Sequence, residues 1–240
     1  LKKIYLPFTK NLTIFKAMNF LSHYYFEKLE PDAHLVMGIV LPDFIKNAHK
    51  DWNLNPHKEE HLFEDCDGER ALMRGWKRHL EVDRIFHSSD FFISQTAALK
   101  QIIMPAMHTG PVKPFFLAHI ALELILDHLL TVKGLVNINR FYEQLHQANN
   151  AVLEKFLVKA GISDMDLFNN FLNGFISSRY LLSYQKIENI PYALNRICMR
   201  LWNDPFTPDQ LQELTAGVIV YKNTIESEYI TIFNEIEKKL

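Results

Sequence analysis

Imidazoles and carboxylates recur four residues apart in two stretches of this chain. One holds His79, Asp83 and His87; the other holds His119, Glu123 and Asp127, with His128 beside the last. On an α-helix, positions i, i+4 and i+8 lie along one face, each step about 6 Å up the axis. Each stretch, if helical, therefore presents a stripe of nitrogen and oxygen donors. The second stripe lies in Phe115 to Leu130, a segment otherwise almost wholly apolar. A carboxylate buried there alone costs several kcal/mol or gives up its charge. Two such acids call for cations beside them or for a bound metal, and His with carboxylate suits Mn²⁺, Fe²⁺ or Zn²⁺ better than Ca²⁺. The competing reading is an ordinary ion-pair surface, with His79 and Asp83 paired and Lys77, Arg78 or Arg84 neutralising the acids. That reading fits the first stripe better than the second, which has no Lys or Arg nearby until Lys133.

The elements that must hold these stripes are helical. From Gly75 to Thr96 the apolar positions Leu80, Val82, Ile85, Phe86, Phe91, Phe92 and Ile93 fit a helix, with a bend or restart at Ser88-Ser89-Asp90. Phe115 to Lys133 reads as a buried central helix, with Pro114 in its first turn and Gly134 as its stop. Asn139 to Ala160 reads as one helix stopped by Gly161, and Ser163 with Asp166 resembles a cap for the next. Thr207-Pro208-Asp209-Gln210 starts a last helix that runs close to the C-terminus and ends in Lys238 and Lys239. Residues 46–70, rich in His, Asn, Asp and Glu, read as a loop or lid. No strand pair flanks a hairpin turn. The expectation is a single compact all-α helical bundle. His23 and Asp43 each close an apolar stretch and are candidates to join the stripes.

Composition narrows the function. The 240 residues are 48% hydrophobic and 22% charged, enough for a core and unlike a disordered chain. A net charge of -2 argues against binding nucleic acid through bulk positive charge. No glycine-rich phosphate loop is present, which disfavours a nucleotide triphosphatase of the Walker class. Cys66 and Cys198 are too few for a disulfide framework and suit a reducing, cytoplasmic setting. No run of about 20 apolar residues is expected to span a membrane. Residues 1–17 carry Lys2, Lys3, Lys10 and Lys16 and no acid, so these four charges leave the remainder at −6 against −2 for the whole chain. They read as a leader or upstream extension, with one domain from Met18 to Leu240. Of the 11 histidines, His34, His49, His57, His61, His108 and His146 have no acidic company of this kind and read as loop or surface residues.

Met18-Asn19-Phe20-Leu21-Ser22-His23 followed by Gly38-x-x-x-x-Asp43-Phe44 resembles the start of the bacterial acyl carrier protein phosphodiesterases. Gly75-x-x-x-His79-x-x-x-Asp83 resembles their central Gly, His and Asp motif. Leu122-Glu123-x-x-x-Asp127-His128-x-Leu130 resembles their acidic segment followed by His. The likeness continues through Leu182-x-Tyr184 and Ile190 to Arg200. It implies a fold related to the HD phosphohydrolases. It also implies hydrolysis of the phosphodiester that joins 4′-phosphopantetheine to a serine of acyl carrier protein, converting holo carrier to apo carrier in fatty acid biosynthesis. By position, His23, Asp43, His79, Asp83 and Asp127 become the implied metal ligands, with His87 and His119 as possible additions. Glu123, Asp127 and His128 become the implied catalytic groups. The implied cofactor is a divalent metal, Mn²⁺ first, with Fe²⁺, Mg²⁺ or Zn²⁺ behind it.

Against the family pattern, His87 replaces an acid, Ser89 stands where His is usual, Glu123 replaces Asp, and His119 replaces a small residue. The swaps keep metal-binding residue types. They leave open an HD-like phosphohydrolase acting on another phosphate ester such as a nucleotide, or a silent metal- or partner-binding domain. Acyl carrier protein is acidic, so a partner face should be basic. Arg179, Lys186, Arg196 and Arg200 are the expected suppliers, with Lys77, Arg78 and Arg84; the alternative is a solvated surface.

Overall fold

The structure, a computed structural model, describes residues 20–107 and 110–240. The basic stretch 1–17, the domain start at Met18 and His108 lie outside the described residues. Among the described residues twelve α-helices follow one another: α1 (Phe20–Phe26), α2 (Ala33–Gly38), α3 (Leu41–Ala48), α4 (Asp67–His87), α5 (Asp90–Ile103), α6 (Pro114–Val132), α7 (Ile138–Ala148), α8 (Ala151–Lys159), α9 (Met165–Ser178), α10 (Asn189–Cys198), α11 (Pro208–Ile225) and α12 (Ile230–Glu237). Short 3-10 turns occupy Pro56–Phe63, Met104–Met107 and Tyr180–Gln185. No strand occurs among the described residues. The protein is all-α.

α6 is the central helix. It packs against α1, α5, α10 and α11 and the Tyr180–Gln185 turn, and every residue from Ala121 to Leu130 is buried. By length and composition it is apolar enough to cross a membrane, more so than the sequence pattern suggests, but most of it is buried inside this fold. Pro114 opens it at a position where a missing N–H costs nothing, and Gly134 closes it with φ +67°.

Two helices expected to be continuous are each broken in two, and a third segment restarts at the expected step. The stretch from Gly75 to Thr96 divides at Ser88-Ser89, where the Ser89 hydroxyl donates to the Phe86 carbonyl (2.6 Å) and accepts from the Phe92 N–H (3.0 Å). Asn139 to Ala160 is two helices because Asn150 caps α8, accepting from the Val152 N–H. The helix begun by the Thr207–Gln210 capping box stops at Ile225 and restarts at Ile230. In each case apolar periodicity runs through the break, since both halves pack on one core. Asp164, not Ser163, caps α9. Residues 46–70 are only partly loop: they end α3, hold the Pro56–Phe63 turn and begin α4.

The crossing of α2 and α4 sets the height of the site. A Cβ on Gly75 would lie 2.3 Å from the Leu35 carbonyl oxygen, and one on Gly38 would lie 2.3 Å from that of Leu72. Only two glycines let these backbones meet. One turn beyond Gly75, the same closeness brings His79 Nδ1 to 2.9 Å from the Ile39 carbonyl oxygen.

Candidate metal centre

Three helices deliver the first group of donors. His23 comes from α1, Asp43 from the first turn of α3, and His79 and Asp83 from one face of α4. The last member of that face, His87, meets His119 and Glu123, which share a face of α6. His23, Asp43 and His79 each place one ligand atom within 4.8 Å of the others. Asp83 reaches in with Oδ1 3.2 Å from His23 Nε2 and Oδ2 3.5 Å from His79 Nε2, and Asp43 Oδ1 is 3.7 Å from His79 Nε2. Bond lengths near 2.1 Å around a tetrahedral ion put its ligands about 3.4 Å apart, so these spacings suit one. The His23 and His79 rings stack with centroids 4.0 Å apart.

The protonation pattern fits a metal. His79 Nδ1 must donate to the Ile39 carbonyl, which fixes the ring and turns Nε2 toward the carboxylates. His23 Nδ1 is buried without a hydrogen bond among the described residues, and its Nε2 faces Asp83 Oδ1 at 3.2 Å. Burial, helped by the adjacent His79, lowers His23 to about 4 and so keeps it in the neutral form that a metal needs. Burial also opposes charge on His79, but Asp43, Asp83 and the Ile39 carbonyl outweigh it and raise the group to about 9. Burial likewise works against the Asp83 charge, yet the two imidazoles hold it well below the carboxylate range. The group therefore draws positive charge to itself.

Asp43, His79, Asp83, His87, His119 and Glu123 open into one cleft of ≈ 450 Å³. Trp52, Leu54, Trp76, Leu80, Phe116 and Ile120 supply apolar wall, and Lys46 a cation. These wall residues are not among the expected site residues. Trp76 was accessible from the spacing, because it lies one turn before His79 and Leu80; Trp52 and Leu54 arrive through the chain path after α3. His57, expected to be an idle loop residue, accepts a hydrogen bond from Trp76 Nε1 at 3.3 Å and ties the Pro56–Phe63 turn to the wall.

A model of the acyl carrier protein phosphodiesterase family matches residues 18–236. The chain belongs to the acyl carrier protein phosphodiesterase family. No curated protein and no solved structure matches it.

Within this family member, the donors expected along α6 do not all face the cleft. Asp127, expected as a ligand, is fully buried elsewhere: its Oδ1 accepts from the Ser22 N–H (2.8 Å) and hydroxyl (2.7 Å), and its Oδ2 from the Leu21 N–H (3.1 Å). It caps the first turn of α1, whose N–H groups have no partner within the helix, and so orients His23. Burial pushes Asp127 up to about 7, against the pull of those donors. His128, expected in catalysis, turns to the opposite side, where its Nδ1 donates to the Tyr184 carbonyl at 2.7 Å. Glu123 does face the cleft, and burial raises it well above the usual carboxylate range.

Nor do the expected partner-binding residues line the cleft. Arg179 and Lys186 are exposed, with Arg179 donating to Asn139 Oδ1; Arg196 and Arg200 are half-buried. Burial lowers Arg200 to about 10 beside Tyr180 and Tyr184. Lys77 and Arg78 are paired with Glu60 and Glu27, while Arg84 is exposed next to Asp83 in sequence.

Proposed function

We propose that this protein hydrolyses the phosphodiester between 4′-phosphopantetheine and the serine of acyl carrier protein, using a divalent metal held by His23, Asp43, His79 and Asp83. The convergence of those four side chains, from α1, α3 and α4, carries the reading, with Asp43, His79 and Asp83 lining the cleft and His23 buried behind them; the family match supplies the substrate. Their donor set suits Mn²⁺, with Fe²⁺, Mg²⁺ or Zn²⁺ as alternatives. The HD-like kinship is part of this reading. A cytoplasmic setting follows from the same reading, since two unpaired cysteines suit it.

A bound metal would supply a water of lowered pKa and would balance charge on the non-bridging phosphate oxygens. The protein's own groups do the rest. The Ile39 carbonyl fixes the His79 tautomer, Asp127 steadies His23 through α1, and the tryptophan wall excludes water from the apolar part of the pantetheine arm. Glu123 and His119, joined at 3.0 Å, stand at the same cleft within reach of a leaving oxygen. His128 is left a structural role.

Incubation of holo acyl carrier protein with the purified protein and Mn²⁺, followed by intact-mass measurement, tests this. Loss of the pantetheine arm by wild type, and its retention with His79→Ala, is the expected result. An unaltered carrier beside hydrolysis of simple phosphodiesters would move the substrate elsewhere.

A further inference from the structure

Acid predominates in the cleft. Asp43, Asp83 and Glu123 line it, and Lys46 is the one Lys or Arg among the described residues that do. A phosphodiester brings a further negative charge into that setting, and its non-bridging oxygens are best met by a charged donor. Lys46 lies three residues after Asp43 on α3 and so shares its face. Its Nζ donates to Asn53 Oδ1 and, at 3.5 Å, to the Lys50 carbonyl. Both oxygens are neutral, so they hold the ammonium in place without cancelling its charge. Asn53 stands between Trp52 and Leu54, two residues of the apolar wall, and Trp52 is anchored by the His49 carbonyl and ring. One side chain thus ties the wall to the face that bears Asp43.

We propose that Lys46 binds the phosphate of the phosphopantetheine arm and thereby sets the direction in which the substrate lies. The inference rests on the proposed function for its substrate. α4 supplies the direction: Trp76 lies one turn before His79, and His87 two turns after it, about 16 Å from Trp76 along the axis. The chain that leaves Lys46 through Trp52 and Leu54 reaches the Trp76 end, where His57 accepts from Trp76 Nε1 at 3.3 Å. At the other end His87 meets His119, with ring centroids 4.9 Å apart, and Glu123. An arm laid over Trp52, Leu54 and Trp76, its phosphate at Lys46, leaves the serine oxygen toward His119 and Glu123.

Two small probes read the phosphate contact apart from turnover. 4′-Phosphopantetheine and pantetheine are titrated calorimetrically into the full chain with Mn²⁺ present, for wild type, Lys46→Met and Lys46→Arg. Circular dichroism checks each fold, with Lys46→Gln in place of Lys46→Met if the latter is unfolded. Lys46→Met should weaken 4′-phosphopantetheine about tenfold or more, the worth of a hydrogen bond to a charged group, and leave pantetheine unchanged. Lys46→Arg should restore most of the loss. On holo acyl carrier protein, Lys46→Met should raise KM more than it lowers kcat, because the phosphate is charged before and during the reaction. Equal loss on both probes, or Lys46→Arg as weak as Lys46→Met, reduces Lys46 to a tether for the loop and overturns the inference. Lys46→Met that binds both probes as wild type does, while wild type cleaves the carrier, overturns it and leaves the proposed function standing. The expected losses beside an uncleaved carrier uphold the phosphate contact and overturn the proposed function. Wild type that binds neither probe overturns the inference, and an uncleaved carrier then overturns both.

Discussion

Asp127 and His79 show how little residue type says about role. Both are buried and titratable, and both lie on helix stripes of donors. His79 points its Nε2 at Asp43 and Asp83, whereas Asp127 spends both oxygens on α1. The two variants should therefore fail differently. His79→Ala should lower metal affinity by at least 100-fold, read by titration with Mn²⁺, since it removes a ligand rather than a group behind one. Asp127→Asn should leave metal stoichiometry intact and cost about 2 kcal/mol in urea unfolding. Its amide would turn an N–H donor toward the Leu21 or Ser22 N–H and leave a buried group unsatisfied.

The helices act as rulers, and their joints decide where the marks fall. Gly38 and Gly75 set α2 on α4 at backbone contact, so Gly75→Ala should cost about 2–3 kcal/mol through overpacking. It should also weaken metal binding by lifting His79 off the Ile39 carbonyl, which a paired measurement of melting and Mn²⁺ affinity would register. The Ser88-Ser89 break releases His87 from the end of α4, directly ahead of the Ser89 cap of α5. Ser89→Ala should cost about 1 kcal/mol, seen as a lower melting temperature. A straight helix through this point would carry the apolar pattern equally well, and so the break was visible in sequence only as two serines and an acid.

For the whole molecule, the question is how a chain of net charge -2 receives an acidic carrier. The cleft contributes Lys46, while the exposed Arg179 and Lys186 sit on the α9–α10 side of the fold. If these basic residues receive the carrier, Lys186→Glu with Arg196→Glu should lower kcat/KM for the carrier about tenfold, chiefly at low salt. The same pair should leave hydrolysis of a small phosphodiester unchanged. An equal loss on both substrates would remove that face from the interaction and point to the cleft rim instead.

Periodicity and composition by themselves determined an all-helical chain, a greasy central helix near 115–133, and the approach of His79 to Asp83 and of His119 to Glu123. Those follow from local geometry, because four residues make about one turn wherever a helix forms. The motif spacing also carried the family. Only the tertiary structure decided which donors converge, because that depends on how α1, α3, α4 and α6 are rotated about their own axes. Asp127 lies one turn from Glu123, yet the start of α1 claims it; His128 lies one residue further round and faces Tyr184. Rotation is fixed by packing between segments distant in sequence, above all the Gly38–Gly75 contact. A helical stripe marks the residues able to ligate, and its neighbours choose among them.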